Sequence, residues 1–125
     1  MKLSLDAPSA TNLIRSYGPH GVQVGERTIG SSVIVSPTRL IADWRPRSID
    51  QLLPSDLGPL LEWRPAVLLI GTGERQRFPG PELLAALCAS RLGFECMDTG
   101  AACRTYNVLV AEGRDVAAAL IVEVH

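Results

Sequence analysis

Two short segments of the sequence combine small residues with groups that can do chemistry. Residues 97–107 bring a thiol, a guanidinium, hydroxyls and an amide into one strand-to-helix corner, and Gly71-Thr72-Gly73 forms an earlier corner after another apolar strand. Because both corners follow strands, they can meet at one edge of a single sheet. The predicted ligand-binding residues are Gly71, Thr72, Gly73, Asp98, Thr99, Cys103, Arg104 and Asn107.

The first corner has the composition of an anion-binding turn. Glycines after a buried strand let backbone N–H groups point at a phosphate or carboxylate, and the following helix adds its positive end. Gln76 stands where the dinucleotide fingerprint requires a third glycine, although Asp98 resembles the ribose-binding acid of such folds. The alternative is that Gly71 and Gly73 only make a tight turn. Nearby, Arg75 and Arg77 could hold an anion or pair with acids at the surface, namely Glu74 and Glu82.

The second corner places a cysteine near a helix N-terminus. That position, with Arg104 beside it, can lower the pKa of the Cys103 thiol. An enzyme of this kind would use Cys103 as nucleophile, with Asp98 or Tyr106 in support. The alternative is a small buried Cys103, with Arg104 in a structural network that includes Asp98 and Asn107. We therefore assign no residue a catalytic role, and Cys103 and Asp98 are the candidates if the protein is an enzyme.

The elements that position these corners change in character along the chain. Short strands at 12–17, 22–24, 32–36 and 39–44 are separated by turn residues and are predicted to be antiparallel, the first two forming a hairpin. Helical pieces follow between Ser48 and Trp63, broken at Pro54 and at Gly58-Pro59.

The second half alternates strands and helices. Strands are predicted at 67–70, 94–97 and 116–124, with helices at 81–92 and from a Thr99 N-cap to about Glu112. Alternation of this length favours right-handed crossovers in a partly parallel sheet. The predicted fold class is therefore α/β, with antiparallel N-terminal strands added to a C-terminal β-α-β-α-β unit.

Length and charge limit the classes of function. The chain has 125 residues and a formal net charge of −1, so we predict one domain over 1–125 and no nucleic-acid surface. Its apolar stretches are far shorter than the ~20 residues that span a bilayer, which predicts no membrane insertion. Residues 1–6 do not resemble a secretory signal, so we expect a cytoplasmic protein. Three unpaired cysteines, at 88, 96 and 103, suit a reducing compartment.

No metal or cofactor is expected, because the cysteines and the two histidines, His20 and His125, have irregular spacing for zinc ligands. The antiparallel half leaves an edge strand within residues 12–24, which could pair with a second copy to give a homo-oligomer.

Several separated blocks resemble a known family. They are Gly71-Thr72-Gly73 through Phe78-Pro79, Met97-Asp98-Thr99, residues 101–107 and Glu112-Gly113-Arg114. In this order they are similar to the Mth-like family of small domains of unknown function, which has a mitochondrial relative that is an assembly factor of respiratory complex I. The resemblance implies a three-layer α/β domain on a mixed sheet, no established reaction, and protein partners.

Three functions follow from these observations. The first is a protein-interaction or assembly-type domain with a polar cleft formed by the Gly71–Gly73 loop and the Asp98–Asn107 corner. The second is a module that binds a small anion, phosphate or nucleotide-like, through backbone N–H groups with Arg75 or Arg104. The third is a Cys103-dependent enzyme.

Overall fold

The computed structural model describes residues 11–123, which form eight strands and three α-helices. In chain order these are β1 Ile14–Gly18, β2 Gly21–Val24, β3 Arg27–Ile29, β4 Val33–Val35, β5 Leu40–Ile41, α1 Gly58–Trp63, β6 Val67–Gly71, α2 Pro81–Ser90, β7 Phe94–Met97, α3 Thr99–Ala111 and β8 Val116–Leu120. Two 3-10 turns, Ile49–Gln51 and Pro54–Leu57, precede α1.

A five-stranded mixed sheet is the centre of the fold, with strand order β5-β4-β8-β6-β7. Strand β6 runs parallel to both β7 and β8, whereas β4 pairs antiparallel with β8 and with β5. The carboxyl ends of β6, β7 and β8 therefore lie side by side. This is the edge at which the two predicted corners follow their strands.

Two hydrophobic cores cover the two faces of this sheet. Alternate residues of β8 divide between them: Ala117 and Ala119 face α1, α2 and the 3-10 turns, whereas Ala118 and Leu120 face α3 and the N-terminal strands. Since β8 is fully buried along its length, it has apolar residues at every position. The result is the three-layer α/β arrangement predicted from the sequence.

The N-terminal strands form a separate antiparallel sheet, β1-β2-β3. The hairpin of β1 and β2 was predicted, and its turn includes Gly21, whose positive φ of 110° places it against the backbone of Ile29. The third strand, β3, was missed because its three residues lie among turn residues.

Three other sequence expectations need correction. The strand predicted over 39–44 is reduced to β5, because Asp43 adopts a left-handed φ of 57° and Trp44 N donates to Ser32 O. Pro54 and Gly58-Pro59 begin elements rather than break them, since proline suits the first turn of a helix. Strand β8 ends at Leu120, earlier than predicted. The N-terminal signal prediction and residue 124 lie outside the described residues.

Candidate functional site

The two predicted corners meet directly at the carboxyl edge of the central sheet. Thr99 N donates to Gly73 O at 2.8 Å, and Gly73 N donates back to Thr99 Oγ1 at 2.9 Å. Thr99 Oγ1 in turn donates to Ile121 O at 2.7 Å, so one fully buried hydroxyl joins the ends of three strands. The Gly71–Gly73 loop and the start of α3 are therefore one hydrogen-bonded junction.

Thr72 fixes the rest of the first corner. Its side chain is fully buried, and its Oγ1 donates to Arg75 O at 2.6 Å and accepts from Arg77 N at 3.1 Å. The backbone of Thr72 donates to Met97 O at 2.8 Å. Gly71 is packed just as closely, because a Cβ there would lie 3.0 Å from Thr99 Cα. These contacts assign Thr72 and Gly71 a structural place inside the junction.

The chain's own carboxylate occupies the turn that resembled an anion site. Glu74 N donates to Glu123 Oε1 at 2.8 Å, and Gly73 N is engaged by Thr99. Gly73 has a φ of 105°, and a Cβ at this position would come within 2.5 Å of the Glu123 carboxyl group. Glycine is thus required here both for the turn and for the close approach of Glu123.

Asp98, rather than Thr99, is the N-cap of α3. Its Oδ1 accepts a hydrogen bond from Ala101 N at 2.8 Å, which is the usual way to satisfy a first-turn donor. Thr99 was predicted as the cap because it has the right chemistry, but tertiary contacts use its hydroxyl elsewhere. Capping therefore occupies one carboxylate oxygen of Asp98, the residue that resembled a ribose-binding acid.

Cys103 does not have the lowered pKa that the sequence suggested. Burial raises the pKa of the Cys103 thiol to about 12, and this effect outweighs the opposing charge of Arg104. The side chain is only 5% exposed and belongs to the core between α3 and the N-terminal strands. Near neutral pH it is a protonated thiol, which argues against a nucleophile at this position.

Two neighbouring residues of α3 form hydrogen bonds with the backbone at the beginning of the described residues. Asn107 Nδ2 donates to Ile14 O at 2.6 Å, and Ile14 N donates to Asn107 Oδ1 at 2.9 Å. The buried Tyr106 hydroxyl donates to Asn12 O at 2.8 Å, and burial raises its pKa. Asn107 therefore pairs with the outer edge of β1, the strand that was expected to be open for a second copy.

The arginines differ from expectation as well. Arg77 pairs with Asp50 at 2.8 Å rather than with Glu74 or Glu82. The structural network considered as one alternative for Arg104 does not include an ion pair with Asp98: within residues 11–123 the ion pairs are those of Arg77 with Asp50 and of Arg45 with Asp56. The Arg104 side chain is exposed and extends near Gly100, with Nη1 3.5 Å from the place a Cβ would take there.

A groove beside the junction consists of two hollows that share Tyr17, and we call it the Tyr17 groove. The smaller hollow, about 200 Å³, is lined by β1 and the first three turns of α3, including Arg15, Gly100, Cys103, Arg104 and Asn107. The larger hollow, about 510 Å³, is lined by Tyr17, Gly18, Pro19, Gly30, Glu74, Val122 and Glu123.

The groove has charges of opposite sign in its two hollows. Arg15 and Arg104 line the smaller hollow, whereas Glu74 and Glu123 line the larger one. The pKa of Tyr17 is raised, first by partial burial and then by the negative charges of Glu74, Cys103 when ionised, Glu123 and Asp98. Tyr17 is therefore a neutral phenol between a basic and an acidic region.

Of the predicted site residues, Cys103, Arg104 and Asn107 line this groove, while Gly71, Thr72, Gly73 and Thr99 form the junction beneath it. Sequence reasoning missed Tyr17, Arg15 and Glu123. Tyr17 and Arg15 lie in the antiparallel half, and no local pattern indicates that β1 packs on α3. Glu123 follows a strand at the same sheet edge, which was a usable signal.

A mixed five-stranded sheet, covered by helices on one face and by α3 with a small antiparallel sheet on the other, defines a three-layer α/β domain of the Mth-like class. The family model described as "Protein of unknown function (DUF498/DUF598)" matches residues 14–121, and the chain belongs to this family.

Solved structures and a curated relative support this assignment. A crystal structure of a Bordetella parapertussis protein has a TM-score of 0.81 and 38% identity, covering 90% of this chain and 96% of that one. The solution structure of a Bordetella pertussis protein, described as a Mth938-like domain, has a TM-score of 0.78 and 32% identity, covering 97% and 92%. NADH dehydrogenase (ubiquinone) 1 alpha subcomplex assembly factor 3 of Danio rerio is 35% identical over 115 residues, or 90% of this chain.

The match covers 66% of the Danio rerio protein, so the chain spans just under two thirds of that relative's length. None of the helices within residues 11–123 is long and apolar enough to cross a membrane.

Proposed function

We propose that this domain is an assembly-type factor that binds a protein partner through the Tyr17 groove. The observation that carries the proposal is the position of Tyr17 on a rigid support, where a hollow lined by Arg15 and Arg104 meets a hollow lined by Glu123. Tyrosine and arginine are among the residue types that contribute most to binding energy at protein interfaces. A protein segment bearing both charges complements this surface better than a small ion does.

The rigid support beneath the groove strengthens the proposal. The junction of Gly73, Thr99 and Ile121 is held by buried hydrogen bonds, so the groove loses little conformational freedom when a partner binds. The relative in Danio rerio is named as an assembly factor for NADH dehydrogenase. We extend to this chain the same general role, assistance in the assembly of NADH dehydrogenase.

The test is loss of the gene in the organism that encodes this chain, followed by complementation. We expect the deletion strain to contain less assembled NADH dehydrogenase, measured by native gel electrophoresis with in-gel activity staining. Wild-type protein should restore the assembled enzyme, and Tyr17→Ala or Arg104→Glu should not. Arg114→Glu, an exposed charge reversal beyond the end of α3, is the matched control and should restore it.

Two results would reject the proposal. An unchanged amount of assembled enzyme in the deletion strain excludes the assembly role. Equal rescue by Arg104→Glu and Arg114→Glu excludes the groove as the binding surface, provided that both variants accumulate to the wild-type level.

The smaller hollow gives a second candidate, a small anion bound by Arg15 and Arg104. The glycine corner does not support this alternative, because Glu123 already accepts from Glu74 N. Phosphate or a nucleotide should then raise the melting temperature of the wild type but not of Arg104→Glu. No shift with either ligand leaves the protein-binding proposal in place.

A further inference from the structure

Another hollow lies at the opposite edge of the central sheet, where the parallel strands begin. It has a volume of about 240 Å³ and is lined by a turn, the end of a helix and the start of a strand, namely residues 36–39, Trp63, Pro65 and residues 115–117. Val67 N, in the first residue of β6, donates to Asp115 O at 3.0 Å, so this is the amino edge of β6 and β8. Among the described residues, this hollow and the Tyr17 groove have no lining residue in common. We call it the Arg39 hollow.

The turn that carries Arg39 is held in place by hydrogen bonds at both of its ends. Ser36 N donates to Arg39 O at 2.9 Å, and Arg39 N donates to Ser36 Oγ at 3.0 Å. The side-chain amide of Asn12 donates to the same two residues, at 3.0 Å to Ser36 O and at 3.2 Å to Arg39 O. Because the backbone is fixed in this way, a ligand that binds Arg39 has little to order besides the side chain itself.

The guanidinium group of Arg39 lies over the ring of Trp63. Its central carbon is 5.3 Å from the ring centroid, which is within the range of a cation–π contact. Trp63 is half-buried against the core on the helical side of the sheet, and the buried Pro65 follows two residues later. Stacking uses a face of the guanidinium group, whereas its N–H groups point outward in its own plane. Those N–H groups are therefore available for a carboxylate, which a guanidinium group can bind through two parallel hydrogen bonds.

Asp115 contributes a charge of opposite sign to the same hollow. Within residues 11–123 both ion pairs involve other residues, so Arg39 and Asp115 do not neutralise each other. In this part of the chain, neither the carboxylate of Asp115 nor the guanidinium group of Arg39 forms a hydrogen bond. The Arg39 hollow therefore presents a positive and a negative group, and each can still bind a group of opposite charge.

We propose that the Arg39 hollow binds a free amino acid with a small apolar side chain. The carboxylate of this ligand pairs with Arg39, its ammonium group pairs with Asp115, and its side chain packs against Trp63 and Pro65. A zwitterion matches both charges, whereas a phosphate ion is repelled by Asp115 and a simple amine is repelled by Arg39. The volume of about 240 Å³ fits a ligand of this size, because pockets for drug-sized molecules begin at roughly 300 Å³.

Titration of the isotope-labelled full chain with alanine, valine and leucine tests this site by nuclear magnetic resonance. We expect at least one of them to bind with a dissociation constant of about 1 mM or lower. The indole N–H resonance of Trp63 should move, whereas that of Trp44, which donates to Asp56 O, should stay in place. The amino alcohol with the same side chain lacks the carboxylate, and the matching carboxylic acid lacks the ammonium group. Each should bind at least about tenfold more weakly, because it loses one charged hydrogen bond.

Two variants test the charges directly. Arg39→Gln and Asp115→Asn each remove one charge from an exposed residue, so both should fold and both should weaken binding at least about tenfold. Arg114→Gln is the matched control, because Arg114 is an exposed neighbour of Asp115 that does not line the hollow, and this variant should bind like the wild type.

Three results would overturn the proposal. The first is a Trp63 resonance that none of the three amino acids moves at about 20 mM. The second is equal binding of the amino acid, its amino alcohol and its carboxylic acid. The third is wild-type affinity in both Arg39→Gln and Asp115→Asn.

Discussion

Asn107 pairs with Ile14, the first residue of β1, by forming both hydrogen bonds of a strand neighbour with its backbone. The side-chain amide has the same donor and acceptor as a peptide group, so it pairs with Ile14 N and O as a further strand would. This contact joins α3 to the N-terminal sheet across the sequence, next to the bond from Tyr106 to Asn12 O.

Replacing Asn107 should destabilise the fold through these two bonds. Asn107→Ala leaves a partly buried N–H and C=O of Ile14 without partners, and we expect a loss of about 1–3 kcal/mol in the free energy of unfolding, measured in urea. Asn107→Asp retains the acceptor and loses the donor. If Asn107→Ala unfolds at the same urea concentration as the wild type, the strand-like role of this amide is wrong.

The hydroxyl group of Thr99 should contribute more to the stability of the fold than its methyl group does. Thr99→Val keeps the shape but leaves Gly73 N and Ile121 O buried without this partner, for which we expect a cost of about 2–4 kcal/mol. Thr99→Ser keeps both bonds and should cost about 1 kcal/mol for the lost methyl group. Chemical denaturation of the pair provides the test, and equal losses would contradict the junction described above.

Gly73 should tolerate alanine poorly. A methyl group at this position meets the Glu123 carboxyl group and must be held at a φ of 105°, so we expect Gly73→Ala to cost about 1–3 kcal/mol. The control is Gly58→Ala, at the start of α1, where a Cβ meets nothing within 4 Å and φ is −46°. The control should be neutral or slightly stabilising in thermal unfolding, because alanine restricts the unfolded chain. The reverse order would contradict the structure.

Cys103 should make the protein less stable in alkali. Its pKa is raised by burial to about 12, above the value of 9.0 for an unperturbed thiol, so its contribution is complete below pH 9 and is lost as the pH approaches 12. Between about pH 8 and about pH 10.5 the loss is about 2 kcal/mol. Cys103→Ala should lack this component, which urea unfolding of both proteins at the two pH values measures.

The same burial predicts slow alkylation of Cys103. In the native protein it should react with iodoacetamide more slowly than Cys88, which is exposed. Faster reaction of Cys103 than of Cys88 would support the sequence-based hypothesis of an activated thiol. So would an equal loss of stability in alkali for the wild type and Cys103→Ala.

Local sequence patterns were sufficient for much of the central unit. Val67 to Ile70 is apolar at every position because β6 is covered on both faces, and Gly93 and Gly113 follow the segments that became α2 and α3. The meeting of the two corners was also predictable, since consecutive parallel strands place their carboxyl ends at one edge of a sheet. The shorter N-terminal strands carry fewer periodic residues, which is why β3 was missed and β5 was overextended.

The sequence by itself determined the α/β class, the positions of the longer elements and the edge at which the two corners lie, because these depend on periodicity and on turn residues within short windows. Only the tertiary structure decided what each polar group does there. Asp98 rather than Thr99 caps α3, Glu123 fills the glycine turn, and burial keeps the Cys103 thiol protonated. Each of these outcomes depends on a partner distant in the sequence or on exclusion of water, and neither is encoded in local spacing.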